Sequence, residues 1–132
     1  ITPHFGELSR IIGIKRDFII SDFPRIMTDV MRDFKKTILA KQVPVCVFEG
    51  EEVIINISGN PGLATAGTGD VLAGLISGLC AQGMSCFNAA SIGAFVHGKS
   101  SDLIATENGY RGQVASDLLS KIPYVLQHYE RA

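Results

Sequence analysis

The hydrophobic period changes twice along this chain, and the two changes divide it into helix, strand and helix. Over residues 22–36, Phe23, Ile26, Met27, Val30, Met31 and Phe34 recur at three- and four-residue steps, the spacing of one helix face. Ser21 or Asp22 can cap that helix, and Pro24 is tolerated in its first turn. Before it, "ELSRIIG" places Leu8, Ile11 and Ile12 at the same spacing, with Gly13 as a stop. From Thr37 the pattern switches to short runs rich in β-branched residues: "TILA", "VPVCVF" and "VIINIS", with "EGEE" as a turn before the last. Past Ser58 the spacing is helical again, at about residues 68–82, 86–105 and 116–129, with Ser85 and Ser116 as N-caps and a break near Pro123. "TENGYRGQ" reads as a polar loop. Strands flanked by helices on both sides predict a layered α/β fold, and 132 residues suffice for one domain with one core.

Composition narrows the function classes. The chain is 46% hydrophobic and 19% charged, the balance of a folded protein. A net charge of -1 gives no bulk electrostatic basis for binding nucleic acid or an anionic membrane. Arg32, Lys35 and Lys36 read as a solvated helix face. The longest apolar stretch, residues 71–80, is interrupted by Gly74, Ser77 and Gly78 and is too short to span a bilayer. No secretory signal pattern is visible. Cys46, Cys80 and Cys86 follow no CxxC spacing and are expected to be buried thiols of a cytoplasmic protein. The chain opens on Ile, and "ITPH" reads as the end of a strand running into a loop, so we expect a piece of a longer protein.

The chemistry concentrates in "GNPGLATAGTGDVLAG", residues 59–74. Gly67 and Gly69 lie where a loop becomes a helix, where a ligand can approach the main chain without a Cβ in the way. The helix beginning near Thr68 presents unpaired N–H groups and the positive end of its dipole, which favours phosphate. Asp70 falls in the first turn. A carboxylate there repels a bound phosphate, so it reads either as a base for a hydroxyl attacking that phosphate or as a metal partner. The plainer alternative is a first-turn acid that complements the dipole. The spacing is neither GxGxxG, since the third Gly comes only at Gly74, nor a P-loop, since no Lys follows the glycines. In the helix after Asp70, the small residues Ala73, Gly74, Ser77 and Gly78 are expected to pack against the helix through Ala89, Ala90, Gly93, Ala94 and Phe95.

The run "NPGLATAGTGDVLAGLISGL" closely resembles the signature of the ADP/ATP-dependent NAD(P)H-hydrate dehydratases, a ribokinase-like family that repairs damaged nicotinamide cofactors. In order along the chain, "TPHFGELSRI", "TILAKQVPVCV", "IINISGNPG", "AASIGAFVHGKSSDL" and "VASDLLSKIP" also resemble family segments, so the likeness covers nearly the whole chain. It implies a ribokinase-like layered α/β/α fold, of which residues 1–132 would be the C-terminal half of a single domain. It also implies a reaction: a phosphoryl group passes from a nucleotide to the hydroxyl of the hydrated nicotinamide ring, and elimination of phosphate restores the reduced cofactor.

By the same resemblance Asp70 is the base and a substrate contact, and His4 lies against the hydrate. Lys41, Gln42, Val43, Pro44 and Val45 line the nucleotide, as do Asn60, Thr68 and Gly69. The N–H groups of Thr68 and Gly69 would hold the transferred phosphoryl group. The HxGE form of the first motif resembles the members that use ADP, so ADP is the expected donor, with ATP the alternative. Mg²⁺ is expected with the nucleotide phosphates, without a dedicated protein cage, and a homo-oligomer is expected. Phe5 stands where the family has Pro, and Gln42 where it has the Gly of LKG. His97, in an apolar helix, reads as a satisfied core histidine. Two other readings stay open: a related ribokinase-like small-molecule kinase, and a non-catalytic fragment that keeps the fold for partner binding.

Overall fold

A computed structural model describes residues 1–130, in two compact units, the first Ile1–Asn56 and the second from Ile57 onward. The first unit holds helices α1 (Phe5–Ile12), α2 (Arg16–Ser21) and α3 (Phe23–Asp33), then strands β1 (Ile38–Ala40), β2 (Val45–Glu49) and β3 (Glu52–Asn56). The strands form an antiparallel sheet in the order β1-β2-β3, with Leu39 opposite Val47 and Val47 opposite Ile54. On the free side of β1 the opening residues run parallel to it. The Ile1 backbone nitrogen donates to the Thr37 carbonyl at 2.9 Å, Leu39 N–H to the Ile1 carbonyl at 2.9 Å, and Lys41 N–H to the Pro3 carbonyl at 2.8 Å. "ITPH" is therefore extended, as its sequence suggests, and this pairing carries His4 to the level of Lys41.

The core of this unit is Leu8, Ile19, Met27, Met31 and Ile38, with Phe5, Phe23 and Phe48 packed on it. Each fully buried Leu or Ile contributes about 1.5–3 kcal/mol. The α3 stripe faces this core as its spacing predicts. That helix ends at Asp33, three residues before the expected Lys36, with Phe34 as its C-cap. The Asp22 side chain makes no capping bond. Helix α2 has no counterpart in the sequence reading: in six residues it buries only Ile19, too little for a periodic signal.

The second unit contains a 3-10 turn (Pro61–Leu63) and helices α4 (Thr68–Ala81), α5 (Cys86–Asn108) and α6 (Ala115–Glu130). Val96, Ile104, Leu118, Ile122 and Val125 form its core, joined by Leu63, Val71 and Leu75. Three expectations need correction here. Helix α6 is not broken at Pro123. An internal Pro costs roughly 3 kcal/mol, but Leu118, Ile122 and Val125 are buried on both sides of it, and together they offset that cost. Ser116 is not an N-cap. The helix already starts at Ala115, and its first turn is closed by the Asp117 carboxylate, which accepts from Val114 N–H at 2.9 Å. Helix α5 runs on to Asn108, so the "TEN" of the expected loop is helical. Ser85 does cap α5, accepting from Asn88 N–H at 3.3 Å.

The α4–α5 contact also differs from the expected small-residue pairing. Ala89, Ala90, Gly93 and Ala94 are buried as expected, but Gly74, Ser77 and Gly78 are exposed. The close approach is Gly93 against Ile76, where a Cβ on Gly93 would lie 2.7 Å from Ile76 Cγ1. The cysteines divide as well: Cys46 is buried in β2, Cys80 is half-buried and Cys86 is exposed. No helix among the described residues is long and apolar enough to cross a membrane.

Candidate functional site

The glycine-rich stretch is a fixed scaffold. Asn60 Oδ1 accepts from Gly62 N–H at 2.9 Å and caps the 3-10 turn. Thr65 Oγ1 donates to the Gly62 carbonyl at 3.0 Å. The Thr68 hydroxyl is shared between the carbonyls of Leu63 at 2.7 Å and Thr65 at 2.8 Å. Thr68 is buried, and these bonds occupy its side chain.

Helix α5 holds the stretch from outside. Ser58 Oγ donates to the Phe95 carbonyl at 3.1 Å, and Gly98 lies so close to Ser58 that a Cβ would fall 2.2 Å from its Oγ and 2.7 Å from its carbonyl carbon. The two oxygens of Asp102 then bridge the loop entry, accepting from Gly59 N–H and from Asn60 Nδ2, each at 3.1 Å. His97, also buried, donates from Nε2 to the Thr68 carbonyl at 2.9 Å, so Nε2 carries a proton. Burial lowers its pKa, and the bond to Thr68 only partly opposes that. This is the satisfied core histidine its apolar helix implies, and it fixes the residue at which α4 begins.

At the start of α4, Gly67 takes φ +88°, a left-handed turn open to glycine and strained for other residues. Thr68 N–H bonds the Thr65 carbonyl at 3.3 Å, and Asp70 N–H bonds the Gly67 carbonyl at 3.1 Å. Between them, Gly69 N–H makes no hydrogen bond among the described residues. Asp70 is exposed, and its carboxylate likewise makes no hydrogen bond or ion pair there. An acid at this position often folds back to cap its own helix; Asp70 does not. A free donor and a free carboxylate thus stand one residue apart at the positive end of a 14-residue helix, an arrangement that fits a phosphoryl group beside a proton acceptor.

In the first unit the structure joins His4, Glu7 and Lys41. His4 is the N-cap of α1. Its Nδ1 accepts from Gly6 N–H at 3.0 Å and Glu7 N–H at 3.2 Å, while Glu7 Oε2 accepts from His4 N–H at 2.8 Å. This reciprocal cap leaves Nε2 as the protonated nitrogen, 3.5 Å from Glu7 Oε1. Lys41 Nζ lies 3.8 Å from Glu7 Oε2. The bond from the His4 backbone, with the nearby Lys41 cation, holds the Glu7 carboxyl below its ordinary range. Phe5, in place of the family Pro, stacks edge-on against Phe23 at 5.6 Å and joins the core. Gln42 turns inward, donating from Nε2 to Cys46 Sγ at 3.3 Å. Val43 and Pro44 are exposed and Val45 is half-buried.

Two residues of this scaffold escape a reading by motif. Asp102 had a signal: it is the only acid in residues 86–106, and an acid in an apolar helix needs a partner. Gln113 had none. It is buried at the end of an apparently polar loop, where its Oε1 accepts from Ser101 Oγ at 3.1 Å and crowds Gly62.

Comparison with known proteins supplies the context. Residues 1–124 match the family model described as NAD(P)H-hydrate dehydratase. The chain is 41% identical over 131 residues to the bifunctional NAD(P)H-hydrate repair enzyme Nnr of Moorella thermoacetica, which covers 98% of the chain and 25% of that relative. It is 37% identical over 121 residues to the ADP-dependent (S)-NAD(P)H-hydrate dehydratase of Neisseria meningitidis, covering 91% of the chain and 40% of the relative. Among solved structures, the ADP/ATP-dependent NAD(P)H-hydrate dehydratase of Bacillus subtilis superposes with a TM-score of 0.90 at 24% identity, over 97% of the chain and 48% of that protein. A ribokinase-like superfamily protein of Enterococcus faecalis superposes with a TM-score of 0.78 at 27% identity, over 96% and 43%. The fold is therefore the expected ribokinase-like one. The chain spans about a quarter of the Moorella relative's length and about half of the Bacillus structure.

Proposed function

The chain belongs to the NAD(P)H-hydrate dehydratase family, and on that premise we propose that the whole protein carrying it dehydrates hydrated NAD(P)H at the expense of a nucleotide. The nucleotide supplies the phosphoryl group that turns the ring hydroxyl into a leaving group. Asp70 takes the proton of that hydroxyl as its oxygen attacks phosphorus. Gly69 N–H donates to the phosphoryl oxygens, and the α4 dipole favours the charge they carry. Thr68 and Asn60 serve nucleotide binding through the loop they hold in place, since the Thr68 hydroxyl is already engaged. On the first unit, His4 contacts the hydrate. The segment Lys41, Gln42, Val43, Pro44 and Val45 contacts the nucleotide, with the Lys41 ammonium only loosely engaged by Glu7.

We place ADP ahead of ATP as donor, a choice supported by the name of the Neisseria relative. Mg²⁺ accompanies the nucleotide phosphates, and the protein works in the cytoplasm as a homo-oligomer. The observation that carries this reading is the free carboxylate of Asp70 beside the free N–H of Gly69. The test is Asp70→Asn in the full-length protein. Turnover of hydrated NADH is expected to fall at least about a hundredfold, the scale of general-base loss, with nucleotide affinity within a few fold. Activity retained within a few fold removes Asp70 as the base.

A further inference from the structure

We propose that Glu7 is a positioning residue: it fixes His4 in the tautomer that carries its proton on Nε2, and so presents one N–H donor to an acceptor oxygen of the hydrate. This rests on the reading above in which His4 contacts the hydrate. Capping alone does not account for a histidine at this position. Helix N-caps are filled best by Ser, Thr, Asp or Asn, whose short side chains reach the first N–H groups of the helix. Here the cap uses one ring nitrogen only. His4 Nδ1 accepts from Gly6 N–H at 3.0 Å and from Glu7 N–H at 3.2 Å, so Nδ1 is bare and the ring proton sits on Nε2. The side chain is exposed, and Nε2 makes no hydrogen bond among the described residues. A cap built from Asn would lack this second, outward donor.

Three contacts hold the ring in that pose. The first is the Glu7 carboxylate. Its Oε2 accepts from His4 N–H at 2.8 Å, which fixes the backbone the ring projects from, and its Oε1 stands 3.5 Å from Nε2, where a negative charge favours a proton over a lone pair. The second is the bare Gly6. A Cβ there would lie 3.1 Å from His4 Cε1 and 3.3 Å from Nδ1, so the ring occupies the space a side chain would take. The third is the core. Leu8 is fully buried and its N–H donates to the His4 carbonyl at 2.8 Å, which ties the start of α1 to the interior of the first unit. Glu7 faces Lys41 as well. His4 pairs in register with Lys41, and Lys41 Nζ lies 3.8 Å from Glu7 Oε2. One carboxylate thus stands between the residue assigned to the hydrate and a cation assigned to the nucleotide. The bond from the His4 backbone, with Lys41 nearby, lowers its pKa and keeps it ionised at neutral pH.

The test uses the full-length protein, hydrated NADH and the nucleotide it accepts as donor, with two substitutions. Glu7→Ala removes the carboxylate. We expect KM for hydrated NADH to rise about tenfold, the scale of one hydrogen bond lost, with kcat within a few fold. A merely destabilised protein would instead lose kcat at unchanged KM, because a smaller fraction is folded. Glu7→Gln keeps an acceptor for His4 N–H and removes the charge beside Lys41. Its KM for hydrated NADH should return to within a few fold of wild type, while KM for the nucleotide rises a few fold, the small effect expected of an exposed ion pair. Nitrogen-15 NMR of the histidine rings, assigned with His4→Asn, should show His4 Nδ1 bare and Nε2 protonated in the wild-type and Glu7→Gln proteins, and a mixture of tautomers in Glu7→Ala. This readout needs no turnover. A proton on Nδ1 in the wild-type protein overturns the proposal, as does a pure Nε2–H tautomer kept in Glu7→Ala. So does an unchanged KM for hydrated NADH in Glu7→Ala, or a Glu7→Gln protein as impaired toward the hydrate as Glu7→Ala. A wild-type protein that leaves hydrated NADH unreacted with either nucleotide overturns the dehydratase reading first, and this proposal with it.

Discussion

Asp102 carries a structural task out of proportion to its size. Among the described residues its carboxylate is the only partner of Gly59 N–H, and it also receives the Asn60 amide, so it fixes where the glycine-rich stretch begins. Asp102→Ala leaves both donors unpaired in a partly buried place, which costs about 1–3 kcal/mol. We expect a fall in unfolding free energy of that order, read from urea denaturation, together with a rise in KM for nucleotide; an unchanged unfolding free energy would show that the bridge has no weight. His97 gives a pH signature. Its folded pKa is lowered by burial, while in the unfolded chain it titrates near an ordinary value of about 6.5. Above that value both states are neutral and its contribution to stability is intact. As pH falls below it, the unfolded chain takes up a proton that the folded chain refuses, so stability declines until the folded pKa is passed. Urea midpoints at pH 7.5 and 5.5 should therefore differ, and His97→Gln should shrink the difference; an equal difference in the variant would rule His97 out as its source.

At the scale of elements, the contact between α5 and the loop depends on an absent side chain. A Cβ at Gly98 would meet Ser58 backbone atoms at 2.7 Å, and backbone cannot swing aside as a flexible side chain can. Overpacking of this kind costs about 1–3 kcal/mol. Gly98→Ala should lower the thermal midpoint and weaken nucleotide binding, measured by calorimetry, whereas Gly74→Ala, facing open space, should lower neither. A stable Gly98→Ala protein with full affinity would contradict this packing. The same elements show how far a sequence is legible. The α3 stripe and the β1–β3 run announced themselves because each repeats one period over enough residues. Helix α2 did not, because six residues burying one side chain repeat nothing. Pro123 suggested a break because propensity is local, whereas Leu118, Ile122 and Val125 hold α6 through contacts that local spacing does not report. At the site, Asp70 and Gly69 were legible from a helix start preceded by glycines. The engagement of Thr68 was not, because its partners Leu63 and Thr65 are set by the folded path of the loop.

On the scale of the whole molecule, the chain holds a glycine-rich helix start braced by α5 and, in its first unit, a capped His4 paired in register with Lys41. It spans only a quarter to two-fifths of the curated relatives compared, so the proposed reaction is one to test on the full-length protein. The most direct measurement incubates that protein with hydrated NADH and either ADP or ATP, and follows the absorbance band of the reduced nicotinamide. We expect the band to recover with ADP and to recover less, or not at all, with ATP. No recovery with either nucleotide would contradict the dehydratase reading.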